Sequence, residues 1–168
     1  MAYIIDGNNL IGSAPDFSLT DPESRGKMVS FIKKFQESKN TKVTVVFDGE
    51  AQGSELKNPV NAKLTVIYPR HGLTADDEIK RILDKYQQLK EVVLVTTDRE
   101  LKKYARDKGA RTINSIEFYF TLKKAFLSHG KKEETLKRVN TRVSQNEVEQ
   151  WLKIFNSCLL YTSDAADE

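Results

Sequence analysis

Two stretches, VTVVF at 43–47 and VVLVT at 92–96, place apolar residues and threonine at consecutive positions rather than at alternate ones. A strand with one face in water alternates apolar with polar. A strand that does not alternate must be covered on both faces, which is the situation of a parallel sheet held between helices. Three further segments complete the set of candidate strands, which run over 3–5, 42–47, 63–68, 91–96 and 111–113.

Helical patterns lie between and after them. Over 22–38, Met28, Val29, Ile32 and Phe35 share one face, and over 75–89, Ile79, Ile82, Leu83, Tyr86 and Leu89 form a stripe at helical spacing. DRELKKYARDKGA reads as a short helix closed by Gly109, and 115–127 as an aromatic-rich one. Ser144 and Glu147 are spaced as a capping box, opening a helix over about 145–155 whose Val148, Trp151, Leu152 and Phe155 can dock. EAQGSELKNPVN, at 50–61, reads as a loop. Strands alternating with helices predict an α/β fold, a three-layer α/β/α sandwich with a mainly parallel central sheet.

At 168 residues the chain is expected to form one domain over 1–156. The segment SCLLYTSDAADE, at 157–168, lacks Lys and Arg, breaks the preceding periodicity and reads as a non-native or disordered tail; an acidic native tail is the alternative. Without its three acids, the 27 basic residues face 21 acidic ones and the net charge is +6 rather than +3. That is compatible with nucleic acid without establishing it. No apolar run approaches the ~18 residues of a membrane span. The N-terminus lacks the pattern of a secretory signal, so a cytoplasmic location is expected. Cys158 is the single cysteine, which excludes a disulfide framework and a cysteine metal cage.

The strands end on charge. Asp6 follows the first, Asp48 the second and Asp98 the fourth, while Asp76, Asp77 and Glu78 open the helix after the third. In an open α/β sheet the C-terminal strand ends share one edge, where ligands bind. Each acid also has a structural reading. Asp6-Gly7-Asn8-Asn9 and Asp48-Gly49 suit turns, Asp77 suits a capping box with Thr74, and Asp98 suits the cap of the next helix. Carboxylates crowded together repel one another unless a cation neutralises them. Hard oxygen ligands without a His or Cys cluster suit Mg²⁺ or Mn²⁺, and the chemistry they suggest is metal-dependent hydrolysis of a phosphate ester.

IIDGNNLIG, VVFDG, TADDEI and VTTDREL, in this order and spacing, resemble the NYN branch of the PIN-domain nucleases, in particular its bacterial YacP-type group. The resemblance covers about 3–126 and implies a PIN-like fold and a metal-dependent endoribonuclease. Carried over by motif, Asp6, Asp76 and Asp98 are the expected metal ligands and, with Asn9, the expected catalytic residues. Asp77 takes the neighbouring acidic place as a possible outer-shell group, and Asp48 stands outside the ligand set. Lys102 occupies a place where many PIN proteins carry a further acid, so one metal ion is expected rather than two.

RNA, structured or within a ribonucleoprotein, is the expected partner. Arg70, Arg99 and Lys102 lie near the acids in sequence, and LKKAFLSHGKKEETLKRVNTR (122–142) adds Lys123, Lys124, Lys131, Lys132 and Arg138 among its basic residues. An exposed helix–loop–helix surface explains that segment equally well. His71 and His129 are isolated loop histidines that such chemistry does not require. The rival readings are a non-catalytic RNA-binding module, a small-molecule phosphatase of the haloacid-dehalogenase type, and the toxin half of a toxin–antitoxin pair. The phosphatase needs a second acid two residues after its nucleophilic Asp, where this chain has Asn8.

Overall fold

A computed structural model describes residues 1–49, 57–137 and 153–154, with side chains described for 1–49, 60–128 and 153–154. The elements run β1 (Ala2–Asp6), α1 (Gly7–Ser13), α2 (Ser24–Lys39), β2 (Lys42–Val46), β3 (Lys57–Pro59), β4 (Leu64–Ile67), α3 (Ala75–Lys85), a 3₁₀ turn at Leu89–Glu91, β5 (Val92–Val95), α4 (Arg99–Asp107), β6 (Arg111–Ile113) and α5 (Ser115–Lys137). The chain divides into two compact units, Met1–Ala125 and Phe126–Glu168, where the sequence pattern suggests one domain over 1–156. The first unit is the α/β sandwich. Of the second, the described parts are the end of α5 and the helical pair Lys153 and Ile154. The rest of the helix expected over 145–155, and the tail at 157–168, lie outside the described residues.

One six-stranded sheet has the order β3-β4-β2-β1-β5-β6. Five strands are parallel, and β3 pairs antiparallel with the β4 edge. Both faces of the central strands are covered, as their non-alternating runs require. On one face Tyr3 meets Phe35 of α2 and Phe118 of α5 at ring-centroid distances of 5.2 and 5.7 Å. On the other, Ile4, Val46, Val92 and Leu94 pack with Ile79 and Leu83 of α3 and with Leu101 and Ala105 of α4. No helix among the described residues is long and apolar enough to cross a membrane.

Four expectations are corrected. Within the expected loop at 50–61, Lys57–Pro59 forms an edge strand, where a proline is tolerated because one side of the backbone has no ladder partner. The third helix stops at Lys85, because Tyr86 turns extended (φ −75°, ψ 129°). Tyr86 and Leu89 still pack on the apolar cluster, but from outside the helix. Gly7 is no turn residue; it begins α1. The aromatic helix continues past 127 to Lys137, so the expected helix–loop–helix is helical through that point. Gly130 weakens a helix interior by only about 1 kcal/mol relative to Ala and does not end it.

Gly7 sits where β1 turns into α1, and a Cβ there would lie 2.5 Å from two atoms of the buried Phe47 ring and 3.1 Å from the Val46 carbonyl oxygen. Gly7→Ala is therefore expected to destabilise the fold by about 1–3 kcal/mol, the usual range for overpacking. Urea denaturation measures the loss, and adding Phe47→Leu should recover part of it; a Gly7→Ala chain as stable as the parent would show that the ring yields freely.

Candidate active site at the strand ends

β1 and β5 are parallel neighbours whose chains depart in opposite directions, β1 towards β2 and β5 towards β6. Such a reversal leaves a crevice beyond the C-terminal strand ends, the usual ligand position in open α/β sheets. Asp6 ends β1 at one lip, and Asp98 caps α4 at the other, its Oδ1 accepting from the Leu101 N–H at 3.0 Å.

Two asparagines fix the crevice. Asn9 Oδ1 accepts from the Thr97 N–H (2.9 Å), the Thr97 hydroxyl (2.8 Å) and the Ser115 hydroxyl (2.6 Å). Asn8 Oδ1 accepts from the Asp48 N–H at 3.0 Å. The residues after β1 thus reach both neighbouring strand ends. Asp48 in turn accepts from the Ala75 N–H at 2.9 Å, which holds the start of α3. Both amide oxygens are taken by these donors, and Asn9, expected among the catalytic residues, keeps only its amide nitrogen for a substrate.

Asp6 is 5% exposed. Burial foremost, then the charges of Asp76 and Asp48, raise its carboxyl to a pKa of about 6. Two donors oppose the rise: the backbone N–H of Asn9, which faces the carboxylate without closing a cap bond, and the Thr96 hydroxyl at 3.2 Å. Thr96 also accepts from the Asp98 N–H at 3.2 Å. Burial likewise raises Asp76, joined by the charges of Asp98, Asp48 and Asp77 and opposed by Lys80. Asp76 therefore links Asp6 to Asp98, and Asp48 acts on both Asp6 and Asp76.

Asp77 is spent locally. It completes a capping box with Thr74, taking the Thr74 N–H (3.1 Å) and hydroxyl (2.9 Å) on Oδ2 and giving its own N–H to Thr74 Oγ1 (3.2 Å). Those bonds hold its carboxyl below the ordinary value.

A divalent ion fits the donor chemistry, since a buried carboxylate among like charges lacks a compensating cation. Among the described residues, however, no group of three His, Cys, Asp or Glu is close enough to enclose one. An ion held by one or two carboxylates, with waters and substrate phosphate completing its shell, reconciles the two observations, and Mg²⁺ commonly binds in that way.

The basic residues scatter. Arg70, Arg99 and Lys124 are exposed. Lys102 donates to Asn114 Oδ1. Lys123 is 1% exposed and its ammonium pairs with Asp16, which also accepts from the Tyr119 hydroxyl at 2.6 Å. Lys123 is thus removed from the expected RNA-facing set, because its charge is buried to tie α5 to the loop after α1. Lys131 and Lys132 lie on α5 but their side chains, like all of Arg138, fall outside the described residues.

Sequence reasoning missed Thr96, Thr97, Ser115 and Arg25. A polar pair closing an apolar run was the signal for the threonines; Ser115 gives none. Arg25 donates to the Asp48 carbonyl oxygen at 2.8 Å, with its guanidinium 5.4 and 5.6 Å from the ring centroids of Phe47 and Tyr68.

Comparison with known proteins gives concordant results. The family model described as the YacP-like NYN domain matches residues 3–156. The uncharacterized protein YacP of Bacillus subtilis (strain 168) is 24% identical over 106 residues, and the match spans 61% of this chain and 62% of that protein's length. Crystal structures of Rae1 (YacP) from Bacillus subtilis superpose with TM-scores of 0.65 for a tryptophan-to-leucine mutant and 0.64 for a second structure. Both are 20% identical, covering 99% and 98% of either chain, and they share the fold.

The raised Asp6 pKa has a signed consequence for stability. The folded state keeps a proton that the unfolded chain releases between pH 3.8 and about 6, so unfolding free energy falls as pH rises through that window and stays lower above it. At about 1.4 kcal/mol per pKa unit the loss is about 3 kcal/mol. In chelator, Asp6→Asn is expected to melt above the parent at pH 7.5, with the gap shrinking or reversing at pH 4. Parallel melting curves at both pH values would show that Asp6 carries no such strain.

Proposed function

The chain belongs to the family of YacP-like NYN domains, and from that membership we propose that it is a metal-dependent endoribonuclease hydrolysing RNA phosphodiester bonds at the β1–β5 crevice. A PIN-like, nuclease-type fold and an RNA-related role come with the family. The observation that carries the finer reading is the buried, proton-retaining Asp6, coupled to Asp76 and Asp48 where the strand order reverses. A carboxylate buried among other carboxylates costs stability, and such costs cluster at functional sites.

In this reading one or two of Asp6, Asp76 and Asp98 would hold Mg²⁺ or Mn²⁺ directly, and the remainder would act through its bound waters. When bound, the ion would supply a lowered water pKa and would stabilise negative charge on the phosphodiester oxygens. The remaining work falls to the chain itself. Asn9 and Asn8 keep three strand ends in register, so the carboxylates hold their spacing despite mutual repulsion. Asp48 holds the α3 start, and Asp76 with it. The Asn9 amide nitrogen remains as a neutral donor towards a phosphate oxygen.

A second reading, a non-catalytic RNA-binding module, is favoured by Lys102 in place of a further acid and by the lack, among the described residues, of three potential ligands close enough to enclose an ion. The two readings part on one assay. With mixed RNA in Mn²⁺, the parent should cut, and Asp6→Asn and Asp76→Asn should each lower the rate by about 100-fold, about 2.7 kcal/mol of barrier. Chelator should abolish cutting. RNA retained without cleavage by the parent supports the binding module, and variants that cut as fast as the parent sink the acidic-site proposal.

A further inference from the structure

Beside the acidic edge the sheet carries a second feature. α3 leaves the end of β4 and crosses to β5 on the far side of β1, and on the way it packs over β1 and β2. Among the described residues no helix packs over the β4 side of the same face. A groove of about 640 Å³ results, between the outer flank of α3 and strands β2 and β4.

Its lining differs in chemistry from the rest of that face. Along one row of the sheet, Leu94, Ile4, Thr44 and Thr65 stand side by side. Leu94 and Ile4 belong to the apolar cluster under the helices. In the groove the row changes to the two threonines. Ile67 continues the floor along β4 and Ile82 closes it from α3, while four cations, Lys42, Arg70, Arg81 and Lys85, surround it; Glu78 is the one acid among the described lining residues, 3.8 Å from Arg81. Half-buried Tyr86 stands along it, and Tyr68 borders it with its ring turned to Phe47 and Arg25, 5.8 and 5.6 Å away. Tyr68, Arg70 and Glu78 mark the end near the strand-end edge that carries Asp76; Lys42, Lys85 and Tyr86 mark the other.

We propose that this groove binds single-stranded RNA, with its phosphates on the four cations and a base against Tyr86, along a path that leads to the acidic edge. Cationic grooves with aromatic platforms are the general solution for unpaired nucleic acid. Duplex RNA is recognised instead by shape across its wide minor groove, which a narrow trough beside one helix does not match. An apolar peptide would leave the threonine floor and the cations without partners. The proposal rests on reading the protein as RNA-directed, and it names the strand state of the substrate and the surface that takes it.

The test is binding of a fluorescein-labelled single-stranded oligouridylate to the full chain in chelator, followed by anisotropy over a range of salt. Arg81 and Lys85 are exposed, so Arg81→Ala/Lys85→Ala leaves the core intact. The slope of log K against log salt should fall by about 1.4, from about 0.7 per phosphate contact on a single strand. Tyr86→Ala should weaken binding about tenfold, the order of one stacked base, and Tyr86→Phe should bind as the parent does. Ultraviolet crosslinking of the parent should mark Tyr86, which decides the matter even if Tyr86→Ala folds poorly. Slope and affinity unchanged in these variants, or crosslinks confined elsewhere, overturn the proposal. So does displacement by AMP as effective as by the unlabelled oligonucleotide, since the site would then be nucleotide-sized, or tighter binding of an acidic peptide with the same dependence on Tyr86. Because no divalent ion is present, the readout separates from cleavage. A parent that binds through the groove and cuts nothing refutes the nuclease reading, whereas a parent that cuts while the groove variants bind unaltered refutes the groove.

Discussion

Beyond the end of the β1–β5 ladder, one oxygen atom, Oδ1 of Asn9, ties the start of α1 to the segment after β5 and to the start of α5. Between β1 and β5 the chain diverges on both sides, so no connecting loop bridges the crevice. Three donors converge on that oxygen instead, from Thr97 twice and from Ser115. Each such bond contributes about 1 kcal/mol net, but losing the acceptor would also leave the fully buried Ser115 hydroxyl without this partner, which costs more than the bond gained. Asn8 makes the matching connection to the end of β2. An amide suits both places because it is neutral. A carboxylate would accept the same bonds but add another negative charge beside Asp6.

That neutrality matters because the neighbourhood is already unfavourable to charge. Asp6 is buried, and its nearest help comes from a hydroxyl and one backbone N–H rather than from a cation. Gly7 compounds the constraint: the chain after Asp6 must pass within contact distance of Phe47, which penalises any side chain larger than hydrogen. A fold selected for stability alone would place an apolar residue at position 6 and relax position 7. The combination of a destabilising carboxylate with rigid neutral supports around it is what a binding site for a cation or a polar transition state requires.

How much of this was legible in the sequence follows from the range of each interaction. The five parallel strands are written in their own apolar runs, and the start of α3 in its own capping box, both local signals. The strand-end acids are readable because a strand's C-terminal end is known once its direction is. The asparagines are a different case. Their partners lie 40, 88 and 106 residues away, and a lone amide does not declare whether it faces a ligand or a threonine. Lys123 misled for a related reason: its neighbours in sequence are basic and exposed, but Asp16, a hundred residues earlier, takes it into the core. The edge strand β3 carries Lys, Asn and Pro, residues that by propensity belong to loops, and it is a strand because β4 offers it an open edge.

The acidic edge and the basic groove have a common origin in one crossover. Because α3 must travel from β4 to β5, its first turn arrives at the strand-end edge with Asp76, while its body lies over β1 and β2 and leaves β4 uncovered. The same helix therefore presents acids at its start and Arg81 and Lys85 along its outer flank. Acids at the N-terminal turn are favoured by the helix dipole and need no further cause. Lys85 has the matching cause in the last turn, and Arg81 pairs with Glu78 at 3.8 Å, but Lys42 and Arg70 come from other elements and the pair of threonines beneath them has no such local cause. A stretch of sheet that no described helix covers would normally be filled by aliphatic side chains. Here two threonines share the floor with Ile67, while Tyr86 and Ile82 stand at the side and four cations line the rim, which suits a chain of phosphates and bases better than a protein core.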